Sequence, residues 1–316
     1  MSLEVIDVSG LATIQDSGRK SWMRFGVPAS GAMDHFAFHA ANTLLGNSSD
    51  CAVVEMGMGD ITFRALHDCV ISVTGFGYGL SVYVWDFPLW GSYFVRGGWT
   101  VQLQKLDAGM WAYLAVTGGV QTQPTLGSRS TYLRGAFGGL EGRQIQIGDI
   151  LRSSQPSLGL NELAARTLLE DVLPRYSEHP SIEVVLGPQT KYFADESIET
   201  FLSSEYSVSL TSDRMGYRLE GPPLTHRNKT ELISEGMAFG AIQVPSNGQP
   251  IVMMADGPTT GGYPKIGTVV SADLPLLVQC APNKSRIRFR ETTVAKAQQK
   301  YRLLMSGLMK SVVQSE

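Results

Sequence analysis

Apolar and polar positions alternate along most of the first half of this chain, in short runs bounded by glycine. Leu3 to Val8 alternates with period two and predicts an opening strand. Further strands are predicted at 51–55, 69–74, 80–85, 93–95, 99–106 and 111–116. One segment breaks the pattern. Phe36, Ala37, Ala40, Ala41, Leu44 and Leu45 recur at helical spacing, with Asp34 as candidate N-cap and Gly46 where a helix-ending glycine belongs. The second half predicts a helix over Asn161–Leu173, ended by Pro174. Strands follow at Ser181–Leu186, Ser207–Thr211, Gly240–Val244, Ile251–Met254, Gly267–Val270, Leu276–Gln279 and Arg286–Arg290, and then a closing helix from about Thr293 to Leu308. Ser153-Ser154-Gln155-Pro156-Ser157 has a linker composition, so the expected division is 1–155 and 156–316. Strands this short and this evenly spaced favour a barrel or sandwich.

The chain has 34 glycines in 316 residues, which fits many tight turns. Net charge is −3 and the basic residues are dispersed, so no electrostatic footprint for nucleic acid is present. Cys51, Cys69 and Cys280 lie far apart, without a C-x-x-C, and suit a reducing compartment. No apolar run reaches the length of a membrane helix, and Met1-Ser2-Leu3-Glu4 does not begin a secretory signal. The expectation is a soluble, cytoplasmic protein without nucleic-acid or membrane partners.

Four polar segments carry candidate chemistry. Gln15, Asp16 and Arg19 gather an amide, a carboxylate and a guanidinium around Gly18. They either recognise a planar amide or carboxylate, or fix the turn through an Asp–Arg pair. Gly118 and Gly119 end a strand ahead of the hydroxyl-rich segment Ser128-Arg129-Ser130-Thr131. This is either an anion-binding turn with Arg129 or a plain strand–turn–strand; the G-K-[ST] ending of a P-loop is missing. Asp213 and Arg214 flank Gly216 with Arg218, forming either a site wall or a solvated salt-bridge turn.

The fourth segment is the most specific. An apolar run delivers Asp256, and Thr259, Thr260, Gly261, Gly262, Tyr263 and Lys265 follow. Glycines permit close approach of a ligand, hydroxyls can stabilise an oxyanion, Asp256 or Tyr263 can move a proton, and Lys265 can hold a carboxylate or phosphate. His35 and His39 stand four apart but lack a third ligand, so no metal site is assigned. Gly75–Gly79 is read as a hairpin turn, because it lacks the strand–helix context of a dinucleotide site.

Taken in order, Q-D-x-G-R, G-V-P-x-S-G-A-M-D, A-N-x-L-x-G-N, Y-L-A-V-x-G-G, L-G-S-R-S-T, S-D-R-M-G-Y-R-L, G-A-I-Q-V-P and T-T-G-G-Y-P-K-I closely resemble the allophanate-hydrolase subunit 2, or biotin-dependent carboxyltransferase, family. The likeness runs from about Val8 to Gln279, with a departure at Gly257-Pro258, where relatives usually carry a polar or basic pair. It implies a mainly β fold of cyclophilin-like β-barrel subdomains with a few helices. Family members occur as the carboxyltransferase half of urea carboxylase, as a separate subunit of ATP-dependent 5-oxoprolinase, and as an antagonist of a sporulation-kinase inhibitor. The second setting is the expected one, as no biotin carboxylase, biotin carrier or amidase segment is seen. The resemblance then implies a partner of the subunit 1 family (the B-type 5-oxoprolinase component), a second partner of the A type, and a small amide substrate. No cofactor is expected on this chain alone; ATP enters through the complex, and biotin belongs to the carboxyltransferase alternative. Asp256, Tyr263 and Lys265 are the expected catalytic groups. The Gly118-Gly119 turn and the Thr259–Gly262 loop are the expected donors to the amide oxygen.

Overall fold

The computed structural model describes residues 2–156, 158–227 and 231–314. Ser157, the last residue of the expected linker, lies outside them. The fold is mostly β, with five α-helices among the described residues. It divides into two compact units. The first comprises residues 1–20, 30–173 and 305–316, and the second 21–29 and 174–304.

Two sheets build the first unit. A six-stranded sheet runs in the order Ile150–Arg152, Ser2–Val8, Ile61–Ala65, Thr100–Lys105, Tyr78–Val82, Trp85–Phe87. A seven-stranded sheet runs Leu11–Gln15, Val53–Gly57, Trp111–Val116, Cys69–Gly75, Gly91–Val95, Arg166–Leu168, Val312–Gln314. Their inward residues share one core, in which Val5, Phe63, Leu80 and Leu103 of the first sheet meet Ile14, Val54, Ile71 and Leu114 of the second. Alternation along Thr100–Lys105 follows from this, with Val101 and Leu103 inside and Gln102 and Gln104 outside.

The helix His35–Leu44 starts and stops where its sequence says. Asp34 accepts a hydrogen bond from Ala37 N at 2.9 Å, and Gly46 takes the left-handed conformation at φ 62° just past its end. Hydroxyls of the seven-stranded sheet tie it down: Ser72 Oγ donates to Ala41 O (2.6 Å) and Thr74 Oγ1 to Ala37 O (2.7 Å).

A closed barrel of seven strands forms the second unit, in the order Ser181–Leu186, Lys265–Val269, Ala241–Gln243, Ile251–Met253, Gly216–Glu220, Glu205–Val208, Arg286–Glu291. Parallel pairing of Ser181–Val184 with Arg288–Glu291 closes it. Closure removes both sheet edges and brings residues far apart in sequence onto one rim.

Three sequence expectations are corrected. The helix expected over Asn161–Leu173 is a single turn, Leu160–Leu163, followed by the strand Arg166–Leu168. Ala165 breaks it with φ 56°, and Arg166–Leu168 is captured by pairing with Gly91 and with Val312–Gln314. The strand expected at Leu276–Gln279 is the helix Leu274–Val278. Leu274, Pro275, Leu277 and Val278 are buried and Leu276 is half-buried, so this continuous apolar run carries no periodicity to separate the two states. Gly75–Gly79 is not a hairpin turn: it carries the chain from Cys69–Gly75 in one sheet to Tyr78–Val82 in the other.

Candidate functional site

In the first unit, Asp16 is a buried hub. Its Oδ1 accepts from Gly18 N (2.9 Å), Ser128 Oγ (2.6 Å) and Ser130 Oγ (2.6 Å), and its Oδ2 accepts from Arg129 N (2.5 Å). Ser130 Oγ in turn accepts from Asp16 N at 2.9 Å. The Q-D-x-G-R turn and the L-G-S-R-S-T segment are therefore one structure stitched by a single carboxylate. Arg19 is fully buried, lies 4.7 Å over the Phe137 ring and donates to Ser130 O. Gln15 Nε2 donates to Thr13 Oγ1 and Thr131 O. Arg129 directs Nε to Thr122 O at 3.1 Å.

The two glycines expected to donate to a ligand spend their N–H groups internally. Gly118 N donates to Asn47 Oδ1 (2.9 Å) and Gly119 N to Val116 O (2.9 Å). They are glycines for steric reasons. At φ 81° and 69°, a Cβ would fall 2.2 Å from Ser154 O or 2.7 Å from Cys51 Cβ.

In the second unit, the strand Ile251–Met253 delivers Asp256 to Arg214. Nε meets Oδ2 at 2.8 Å and Nη2 meets Oδ1 at 3.1 Å, with both residues about 5% exposed. The backbone repeats the pairing, since Asp256 N donates to Arg214 O at 2.8 Å. Both carboxylate oxygens are occupied by the guanidinium, so in this geometry Asp256 anchors Arg214. Asp213 turns away from this pair and caps its own turn, its Oδ1 accepting from Met215 N and Gly216 N.

Lys265 stands elsewhere on the barrel. It opens the strand Lys265–Val269 and lines a cleft of about 220 Å³ with Gly187, Gln189, Glu235, Gly236, Gly267 and Thr268 among its neighbours. Its Nζ donates to Glu235 Oε1 (2.9 Å) and Gly236 O (3.2 Å), while its backbone N donates to Gln189 Oε1 (2.7 Å). Gln189 Nε2 donates to the same Glu235 Oε1. The Lys265 ammonium and then the Gln189 amide hold the Glu235 carboxyl below the usual carboxylate range.

The Thr259–Gly262 loop is joined to this cleft through backbone. Glu235 pairs with Gly261 and Gly236 with Thr260 in a two-residue ladder. Gln243 Nε2 holds Tyr263 O at 3.1 Å and fills the space where a Gly261 Cβ would stand, 2.5 Å away. Thr260 and Tyr263 are exposed.

The sequence-predicted groups thus form separate clusters: Gln15, Asp16, Arg19 and Arg129 in the first unit, Arg214 with Asp256 in the second, and Lys265 with the Thr259–Gly262 loop in the second. Gln189 and Glu235 were not singled out from sequence. No local motif surrounds either: antiparallel pairing of Ser181–Leu186 with Lys265–Val269 brings Gln189 to Lys265, and the ladder with Thr260–Gly261 brings Glu235. Gln243 had a signal, as the single amide within G-A-I-Q-V-P.

Residues 25–291 match the carboxyltransferase domain, subdomain A and B. The chain is similar over nearly its whole length to the C subunit of 5-oxoprolinase from Haemophilus influenzae, with 37% identity over 298 residues, 93% of each chain. It is also similar to the C subunit of 5-oxoprolinase from Escherichia coli K12, with 35% identity over 285 residues, 88% of this chain and 87% of that one. Among solved structures, the K. lactis urea amidolyase matches 97% of this chain with a TM-score of 0.91 and 27% identity. The Kluyveromyces lactis urea carboxylase matches all of it with a TM-score of 0.90 and 27% identity. This chain spans 20% and 30% of those two larger chains.

Proposed function

This chain belongs to the carboxyltransferase domain family, subdomains A and B, and we propose that it serves as the substrate-holding subunit of an ATP-dependent 5-oxoprolinase complex. The net reaction adds water across the lactam C–N bond of 5-oxoproline to give glutamate. ATP enters through partners of the A and B types, and the reading assigns neither ATP nor biotin to a residue of this chain.

The observation that carries the reading is the cleft at Lys265. An ammonium and a side-chain amide converge there on one carboxylate oxygen. 5-Oxoproline presents a carboxylate beside its lactam, whereas urea has none. Lys265 and Gln189 hold the carboxylate, and the Thr259-Thr260 hydroxyls and Tyr263, on the loop that pairs with Glu235–Gly236, serve the amide. The near-full-length similarity to two 5-oxoprolinase subunits supports the same choice.

The test is 5-oxoproline-dependent ATP hydrolysis by the reconstituted subunits, with each omitted in turn. Loss of turnover without this chain, together with a raised KM in Lys265→Ala, is the expected result. Turnover that persists in its absence refutes the reading. The backbone likeness to the urea amidolyase and urea carboxylase structures favours one alternative, carboxyl transfer from carboxybiotin to urea or a related amide. That alternative predicts dependence on a biotinylated carrier and inhibition by avidin.

A further inference from the structure

Glu235 sits where a ligand's carboxylate is best bound. Its Oε1 receives both Lys265 Nζ and Gln189 Nε2, and both donors are fixed independently of it. Gln189 is oriented through its other end by Lys265 N, and Lys265 Nζ has a second partner in Gly236 O. The two donors therefore stay aimed at the same point when Glu235 leaves. Glu235 leaves at little cost, because its side chain is 45% exposed and regains water, whereas Lys265, 21% exposed, still needs a counter-charge in the cleft. There is room for an occupant. The cleft of about 220 Å³ lies below the ~300–1,000 Å³ of drug-sized sites and suits a small metabolite. At Gly236, on its wall, a Cβ would meet no atom within 4 Å.

We infer that Glu235 is an internal stand-in for the substrate's carboxylate: an anionic ligand displaces it from Lys265 and Gln189, and a neutral amide cannot. Glu235 then sets selectivity. It occupies the cation when no acid is present, so only a ligand that replaces a carboxylate with a carboxylate enters without leaving Lys265 uncompensated. The alternative role, a pair that merely braces the ladder between Glu235–Gly236 and Thr260–Gly261, makes the opposite forecast for Glu235→Gln. The inference rests on reading this cleft as the substrate's.

Titration calorimetry of the full chain at low salt tests it, using 5-oxoproline, 2-pyrrolidinone (the lactam without its carboxylate) and glutarate (carboxylates without a lactam). The expected results are saturable 5-oxoproline binding, tightened about two- to fivefold in Glu235→Gln, the scale of one exposed ion pair. Binding is lost in Lys265→Met, and 2-pyrrolidinone does not bind. Unchanged or weakened 5-oxoproline affinity in Glu235→Gln overturns the stand-in role, as does saturable binding of 2-pyrrolidinone. The two readings fail separately. If glutarate binds as well as 5-oxoproline and gains equally from Glu235→Gln, displacement stands and lactam recognition falls. If the reconstituted complex turns over 5-oxoproline with a KM that Glu235→Gln leaves unchanged, the function stands and displacement falls.

Discussion

Asp16 accepts hydrogen bonds from two backbone N–H groups and two hydroxyls while almost fully buried. Replacing it with Ala strands these donors, so Asp16→Ala is expected to cost about 3 kcal/mol or more in urea unfolding. Asp16→Asn keeps two acceptor positions on one oxygen and is expected to cost less. Equal midpoints for Asp16→Ala and wild type would remove the hub role. Asp256 and Arg214 obey different arithmetic, because each neutralises the other. Asp256→Ala alone leaves a buried guanidinium and is expected to cost about 3–5 kcal/mol, whereas adding Arg214→Met should recover much of it. A double variant no more stable than the single one would show that the pair is not coupled. Residue types were legible in sequence here, and roles were not. The polar clusters around Gly18 and Gly216 were visible, but whether a carboxylate faces a ligand or its own fold depends on partners such as Ser128 and Ser130, more than a hundred residues away.

Elements were legible where local chemistry decided them and illegible where distant pairing did. The helix His35–Leu44 carries its own cap, apolar face and terminating glycine, and Asp34→Ala is expected to lower stability by about 1–2 kcal/mol. The segment after Leu163 has helical spacing, yet strand pairing with Gly91 and Val312–Gln314 overrides it. Within the second unit, Lys300 of the helix Val294–Lys310 reaches Glu183 on the barrel strand Ser181–Leu186 at 2.8 Å and the buried Asp273 at 2.5 Å. Hydrogen bonding from Lys300, outweighing burial and joined by Arg290, holds the Glu183 carboxyl below its ordinary range. Burial pulls the Lys300 ammonium down, but its bonds to Asp273 and Glu183 outweigh that and raise it. A depressed carboxylate stabilises the fold above its unfolded pKa and is lost as pH falls through the folded one. A raised amine stabilises below its unfolded pKa and is lost only as pH rises through the folded one. Docking of this helix should therefore hold across neutral pH and weaken on acidification, as pH falls below the ordinary carboxylate range and through the depressed Glu183 pKa. Hydrogen exchange of residues 296–304 should accelerate in that window in excess of the intrinsic pH effect, and Lys300→Met should flatten the acid dependence. An unchanged profile in that variant would remove the triad as the cause.

At the scale of the whole molecule, chain order and unit membership diverge. Residues 305–316 return to the first unit after residues 174–304 of the second, and Val312–Gln314 becomes the outermost strand of the seven-stranded sheet. Nothing in a three-residue Val-Val-Gln announces this, since no period can be read from so short a run. The register is explicit: Leu168 faces Val312, Thr167 faces Val313 and Arg166 faces Gln314, with Leu169 N donating to Ser311 O at 3.1 Å just beyond. Removing residues 311–316 leaves Arg166–Leu168 as a bare edge, and it strips the buried Ser311 from its bond to Leu308 O. Four of the five tryptophans, Trp85, Trp90, Trp99 and Trp111, belong to the first unit, and Trp90 O accepts from Thr167 Oγ1 on the strand so exposed. Tryptophan fluorescence thus reports on this unit. Truncation after Lys310 is expected to shift its urea midpoint downward by an amount matching about 1–3 kcal/mol, and to promote self-association through the uncovered edge at high concentration. Adding the missing segment as a free peptide at millimolar concentration should restore part of the loss, because a ligand that binds only the folded state stabilises it by mass action. A truncated chain with an unchanged fluorescence midpoint would mean that the first unit is complete without its last strand.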